Sequence, residues 1–291
     1  MALHETLSDS ELAQLCSRPD RNKICFNVVK ISDQAVVKFG THIRREEAEN
    51  LRLARAVLDP KIVYVPQVYR TFKYERKYYI VMEYIDAIPI LDSEYDDLAE
   101  RVADVLKHLH SISGKIPGSL GGGISRGFLW ESDFPNFRTI DQLEIWVNRR
   151  VKTHPKVSFK DRDLVLCHPD VVPRNILRKS DGSICLVDWE SAGYYPRCFE
   201  AAAMRLVNTA TTRFENLLLE RVQSGFGAEE VQMAKSVFEA WCRSDFILFK
   251  PNELSNRESF SLFEYAKLLG LPVTGVPPKS PVIPPASSIN T

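Results

Sequence analysis

Asp170, Asn175 and Asp188 stand as isolated polar residues among apolar runs, in VLCHPDVVPRNILRKSDGSICLVDWE (165–190). Leu164 to Cys167, Asn175 to Leu177 and Ile184 to Val187 have the composition of short strands. Between the last two lies Ser180-Asp181-Gly182-Ser183, and Asp-Gly flanked by apolar stretches signals a hairpin. With Asp181 and Gly182 as a two-residue turn, Ser180 faces Ser183, Leu177 faces Leu186 and Asn175 faces Asp188. Directly opposed residues bring their Cβ atoms to roughly 5 Å. The pattern therefore predicts a carboxylate and an amide oxygen meeting at the open end of a hairpin, over a floor of Leu177 and Leu186. Few, hard oxygen ligands suit Mg²⁺, which keeps several waters and takes phosphate oxygens. Asp170 lies on the preceding loop, within reach of the same point. Taken alone, the stretch is also an ordinary polar-ended hairpin.

Such a centre needs elements that hold it. Residues 24–31 and 35–39 are rich in β-branched and aromatic residues and predict a hairpin across Ser32-Asp33-Gln34, with Lys38 on its second strand. Residues 44–58 predict a helix whose stripe of Leu51, Ala54 and Leu58 continues back to Glu47. A glutamate on a buried stripe requires a cation, and Lys38 is the nearest. Separately, each has a bland explanation: an edge-strand lysine that blocks aggregation, a helix-start acid favoured by the dipole. Two further strands are expected at 66–69 and 78–84, and Ile85 to Pro89 as a linker.

Beyond the linker the chain is predicted to be mainly helical: 97–112, 139–152, 200–212, 213–222, 228–247 and 258–269. Residues 113–138 hold six of the 13 glycines and suggest a long surface loop lining a cleft. No strand precedes them and no Lys-Ser/Thr opens a helix after them, which excludes a Walker phosphate loop. His108 and His110, two apart on a helix, cannot chelate one metal. The acids of 92–97 form either a solvated helix start or an acidic rim for a cationic substrate.

The composition is that of an ordinary globular protein: 291 residues, 44% hydrophobic, with 38 basic and 38 acidic side chains. A balanced charge predicts no nucleic-acid footprint. Six cysteines without a C-x-x-C pair suggest a reducing compartment and neither zinc nor disulfides. There is no signal-like start and no apolar run near 18 residues, so a cytoplasmic protein without a membrane span is expected. The Pro- and Ser-rich end is expected to be disordered.

H-x-D-x4-N, then a hydrophobic hairpin, then Asp is the order of the catalytic and metal loops of kinases. LCHPDVVPRNIL with LVDWESAGYYPRCFE resembles the aminoglycoside phosphotransferase and choline kinase-like family, the small-molecule branch of the protein-kinase-like fold. AVVKFG, EAENLRLA, YYIVMEYID and LKHLHSI match that family's lysine strand, glutamate helix, hinge and first large second-lobe helix. The texture is closest to the aminoglycoside phosphotransferase-like proteins abundant in filamentous fungi. The resemblance spans roughly residues 24–245. It implies an α+β, two-lobed fold: residues 1–86 as a small antiparallel-sheet lobe with one key helix, 87–268 as a larger helical lobe, 269–291 as a tail. It implies ATP and Mg²⁺ as cofactors and a small-molecule hydroxyl as acceptor, with no nucleic acid, membrane or obligate protein partner. Lys38 would hold the α/β phosphates, positioned by Glu47. The backbone of Glu83 and Ile85 would read adenine, with Met82 beside it and Leu177 beneath. Asp170 would accept the acceptor's proton, and Asn175 and Asp188 would ligate Mg²⁺. Glu190 and Glu200 are possible substrate contacts, which with the 92–97 acids would favour an amine-bearing alcohol.

Three departures stand out. Pro169 replaces the family's usual glycine after His168. No glycine precedes Gly40, so a phosphate-covering loop near 20–27 is not glycine-rich. The N-lobe is also short, which suggests a missing first strand. Separately, D-W-E in place of D-F-G, and no A-P-E element, set the chain apart from protein kinases. The leading expectation is an ATP-dependent phosphotransferase; a nucleotide-binding pseudoenzyme or scaffold is the second and a protein kinase the third.

Overall fold

Ser8 starts the first substantial helix: its Oγ accepts from the Glu11 amide at 3.3 Å, and Glu11 returns a bond to the Ser8 amide at 2.8 Å, a reciprocal cap. The structure, a computed structural model, describes residues 3–18, 23–25, 27–127, 130, 134–207 and 213–248. Helices α1 (Leu3–Thr6) and α2 (Asp9–Ser17) precede β1 (Lys23–Cys25), β2 (Val28–Lys30) and β3 (Ala35–Gly40). After α3 (Arg45–Val57) come β4 (Val68–Tyr74) and β5 (Lys77–Glu83). The five strands form an antiparallel sheet in the order β1-β2-β3-β5-β4. The run 24–31, expected as one strand, is two, with β1 folded back on β2.

Alternation along β3 decides which lobe face each residue serves. Val37 joins Leu12, Ala13 and Cys16 of α2 in one apolar cluster. Lys38 is opposite Ile80, which packs with Ala48, Leu51 and Ala54 of α3. Opposed residues share a face, so the period of two sends Lys38 to the α3 side.

The linker forms β6 (Ala87–Ile88) and leads to α4 (Tyr95–His110), β7 (Ser113–Gly114), β8 (Gly118–Ser119), α5 (Ile140–Arg150) and β9 (Leu164–Cys167). The hairpin is β10 (Ile176–Lys179) and β11 (Ile184–Leu186), followed by β12 (Gly193–Tyr195), α6 (Cys198–Val207), α7 (Arg213–Gln223) and α8 (Ala228–Leu248). Leu98, Val102, Val105, Leu106 and Leu109 of α4 are buried, as their spacing requires. Strands β7, β8 and β12, in stretches expected as loop and turn, join the expected strand β9 in a small sheet of order β7-β9-β12-β8. Glycine permits it: a Cβ on Gly193 would lie 2.2 Å from the Gly118 carbonyl oxygen. Residues Met1–Leu248 cluster as one unit; the helix expected at 258–269 and the tail lie outside the described residues.

The hairpin register differs from expectation by one residue. Ile176 pairs with Leu186, Leu177 with Cys185 and Arg178 with Ile184. Of Asp181 and Gly182, only Gly182 has positive φ, +84°, whereas the two-residue type I′ turn needs it at both. Instead the Gly182 amide donates to the Lys179 carbonyl at 2.9 Å and the Lys179 amide to the Ser183 carbonyl at 3.0 Å. Asp181 Oδ1 accepts from the Ser183 amide at 2.9 Å, which favours this longer, three-residue loop. Shifting register by one flips faces. Ile176 and Leu186 join the main core, while Leu177 takes the opposite, half-buried face with Cys185. The common floor of Leu177 and Leu186 does not exist, and Asn175 does not face Asp188.

Candidate active site

Lys38 is the centre of a charge cluster in which Lys38 and Glu47 are buried and the Asp188 side chain is 36% exposed. Its Nζ donates to Glu47 Oε1 at 2.6 Å and to Asp188 Oδ1 at 3.0 Å. Lys38 is 8% exposed and Glu47 1%. Burial works against the Lys38 charge, but the two carboxylates outweigh it and hold the ammonium above the ordinary lysine range. Burial also pushes the Glu47 carboxyl up to about 7, against the pull of Lys38 and reinforced by Asp188 and Glu190. For Asp188 the attraction of Lys38 overcomes burial, and its carboxyl is held below the usual range. Oxygens of Glu47, Asp188 and Glu190 lie within 4.8 Å of one another. Glu190 therefore belongs to this cluster and not to a separate acceptor contact.

Asp188 has φ +63°, unusual for a residue with a Cβ though tolerated by aspartate. The chain leaves the hairpin where Val187 N donates to the Asn175 carbonyl at 3.0 Å. It turns sharply at Asp188, which aims the carboxylate at Lys38. Asn175 and Asp188 are thus not a cross-strand pair, and each is set by a loop turn at the end of its strand.

The other turn is the segment from His168 to Asn175. Asn175 Nδ2 donates to Asp170 Oδ2 at 2.7 Å and to the Asp170 carbonyl at 2.9 Å. That leaves Oδ1 of Asn175 as the atom available to a cation. His168 Nε2 donates to the Val187 carbonyl at 3.1 Å, and its ring meets Trp189 edge-on at 4.7 Å. The His168 amide donates to Glu200 Oε2 at 3.0 Å. Glu200 is 1% exposed, so it supports the loop from beneath, and its expected place as a substrate contact is corrected. Burial holds the Asp170 carboxyl above its usual range, and the charge of Asp188 adds to this; Arg174 and His168 pull the other way.

At the linker, Glu83 is occupied on its side-chain face: its carboxylate accepts from Tyr64 OH at 2.7 Å and the Gln67 amide at 3.0 Å. Its amide donates to the Gln67 carbonyl at 2.8 Å. Met82 is opposite Val36 across β3 and β5, and Ile85 is buried at the start of the linker. β6 pairs with β10, Ile88 opposite Arg178, so the linker and Leu177 belong to one small sheet. A cavity of about 290 Å³ is lined by His110, Arg162, Arg197 and Glu230 and contains none of these residues.

Two residues escaped the sequence reading. Arg174 Nη2 donates to Asp170 Oδ1 at 3.1 Å; the i, i+4 spacing from Asp170 was the available signal. Asn50 is fully buried on α3, a polar residue among the apolar ones of an inward stripe. The acids of 92–97 are engaged elsewhere. Glu94 pairs with Arg178, Asp96 with Arg213 and Arg221, and Asp97 with Arg101. Three of the four acids in this stretch are therefore already ion-paired.

A small antiparallel sheet with one glutamate-bearing helix, joined to a helical lobe that carries the Asp170 and Asp188 loops, defines the two-lobed protein-kinase-like fold. The model of the phosphotransferase enzyme family matches residues 27–235, and the chain belongs to that family. Its class is that of small-molecule kinases with a hydroxyl acceptor. Among solved structures, it resembles aminoglycoside phosphotransferase APH(4)-Ia at 13% identity and TM-score 0.55, covering 81% of this chain and 88% of that one. A thermostable mutant of the same protein in apo form gives 15% identity and TM-score 0.53, covering 75% and 80%. Choline kinase LicA from Streptococcus pneumoniae is a looser likeness: 19% identity, TM-score 0.43, covering 77% and 82%. No curated protein matches the chain. Among the described residues, no helix is long and apolar enough to cross a membrane.

Proposed function

We propose that this chain transfers the γ-phosphoryl group of ATP to a hydroxyl of a small molecule. The observation that carries the reading is the Lys38–Glu47–Asp188 cluster beside a loop that presents Asp170 and Asn175. Such transfer needs little covalent chemistry from the protein; positioning and charge neutralisation suffice. Lys38, aligned by Glu47, would hold the α/β phosphates. The backbone of Glu83 and Ile85 would read the adenine edge, with Met82 and Leu177 on either side. Nucleotide binding would thus fall mainly to residues 1–86 and the acceptor to the second lobe.

The donor set fits a hard divalent cation. Asp188 is held ionised, and Asn175 keeps a carbonyl oxygen beyond its bonds to Asp170. Mg²⁺ bound there would neutralise charge on the transferred phosphoryl group. Asp170 would orient the acceptor hydroxyl and take its proton, and Arg174 and Asn175 hold its carboxylate in place until then. The acceptor's charge is not encoded by the 92–97 acids, since each ion-paired member already has an arginine.

The test is a screen of hydroxyl-bearing metabolites for ATP consumption by the purified protein. Turnover with at least one alcohol, abolished by omission of Mg²⁺, is expected. Binding of ATP without turnover across a broad screen would favour a pseudoenzyme, and robust phosphorylation of generic protein substrates a protein kinase.

A further inference from the structure

We propose that Asn50 is a positioning residue that fixes the Asp188 loop for cation binding, an inference that rests on the phosphotransferase reading. Asn50 lies one turn after Glu47 on α3 and is fully buried. Its Nδ2 faces three carbonyl oxygens of the loop that follows Asp188: Trp189 at 2.9 Å, Glu190 at 3.3 Å and Ala192 at 3.3 Å. Its Oδ1 accepts from the Gly121 amide at 2.8 Å and Ser119 Oγ at 3.1 Å. The orientation of the amide is determined by these partners. Carbonyls only accept and the Gly121 amide only donates, so no flipped amide satisfies both sides.

The Asp188 carboxylate is thus held by α3 in two ways. Glu47 reaches its side chain through Lys38, and Asn50 reaches its backbone through the next carbonyl. The second hold matters because Asp188 sits at φ +63°. An L residue keeps that conformation only where its surroundings over-determine it. With Asn50 removed, the peptide after Asp188 is free to relax toward negative φ, which swings the carboxylate away from the cation position. Outer partners that orient a ligand typically change metal affinity by about 10- to 100-fold. Ser119 and Gly121 extend the same node into the glycine-rich segment, so α3, the Asp188 loop and that segment share one side chain.

Two variants test this. Asn50→Asp keeps the size and the bonds to Ser119 and Gly121 but sets an acceptor against three carbonyls. Asn50→Ser is a milder change, with a hydroxyl too short to span both sides. Calorimetric ATP binding is measured over a Mg²⁺ series, with near-UV circular dichroism reporting the fold. Each folded variant should need about 10-fold more Mg²⁺ for half-maximal ATP affinity. Metal-free ATP binding should stay unchanged, and high Mg²⁺ should rescue. Ser119→Ala, which touches only the other side of the node, should stay within about twofold of the wild type. A wild-type Mg²⁺ requirement in a folded Asn50 variant overturns the role of Asn50 alone. Wild-type protein whose ATP binding ignores Mg²⁺ overturns the phosphotransferase reading and this inference with it.

Discussion

The nucleotide side of the site and the acceptor side are built from the same kinds of residue, to different ends. On the nucleotide side Lys38, Glu47 and Asp188 are drawn into one cluster, and every charge has a partner of opposite sign. On the proposed acceptor side Glu94 and Asp97 are each paired with one arginine and Asp96 with two. Buried charges must be paired and therefore fix one geometry. Exposed pairs are exchangeable and fix little. The Lys38 cluster is consequently held in one geometry, whereas the 92–97 pairs are not.

The largest test of this contrast concerns catalysis. Asp170→Asn should lower turnover by roughly 10³-fold, within the range for losing a general base, with ATP affinity unchanged by calorimetry. Retention of more than a tenth of the wild-type rate would show that Asp170 is not the base. Next in size is a stability effect. Lys38→Met leaves Glu47 buried without its cation and should cost about 3–5 kcal/mol in urea unfolding. Adding Glu47→Leu should recover most of that loss without restoring nucleotide binding. If the double variant is no more stable than the single one, the pair is not the source of the loss.

How much of this was legible in the sequence follows from the same contrast. Lys38 and Glu47 were readable because each is a charge on an apolar stripe, and the structure brings them within 2.6 Å. The hairpin was readable but its register was not. Type I′ and three-residue loops both accept Asp-Gly, and Asp181, which does not take the positive φ of the type I′ turn, is compatible with either. Two-residue strands such as β7 and β8 carry no periodicity, so the sheet they form could not be seen. Glu200 was misplaced because nothing local distinguishes a glutamate under a loop from one facing solvent at the start of α6. Asn50 was missed because a neutral amide among alanines and leucines carries no charge to call for a partner.

A smaller effect tests the electrostatics around Asp170. As a base it must be ionised, and burial holds its carboxyl above the usual range. Activity should therefore fall on acidification at a higher pH than an ordinary aspartate would give. Arg174 opposes that shift, so Arg174→Ala should move the acid limb of kcat further toward neutrality. An acid limb that stays in place would mean that another group controls it.

The smallest effect probes the acceptor side. Asp96 is partly exposed and shared between Arg213 and Arg221, so its negative charge is already compensated. Asp96→Asn removes surface pairs that contribute at most about 1 kcal/mol, and it should lower stability by no more than that. The informative readout is a ratio: kcat/KM for an amine-bearing alcohol divided by that for a neutral one. If the 92–97 acids serve α4, Arg101, Arg178 and the start of α7, Asp96→Asn leaves this ratio within about twofold, because the Asp96 carboxylate already has two arginines. A drop of tenfold or more, confined to the amine-bearing alcohol, would mean that the arginines release these acids when acceptor binds. The acceptor side would then be a charged site held closed by its own counter-ions, and the contrast with the nucleotide side would be one of occupancy and not of construction.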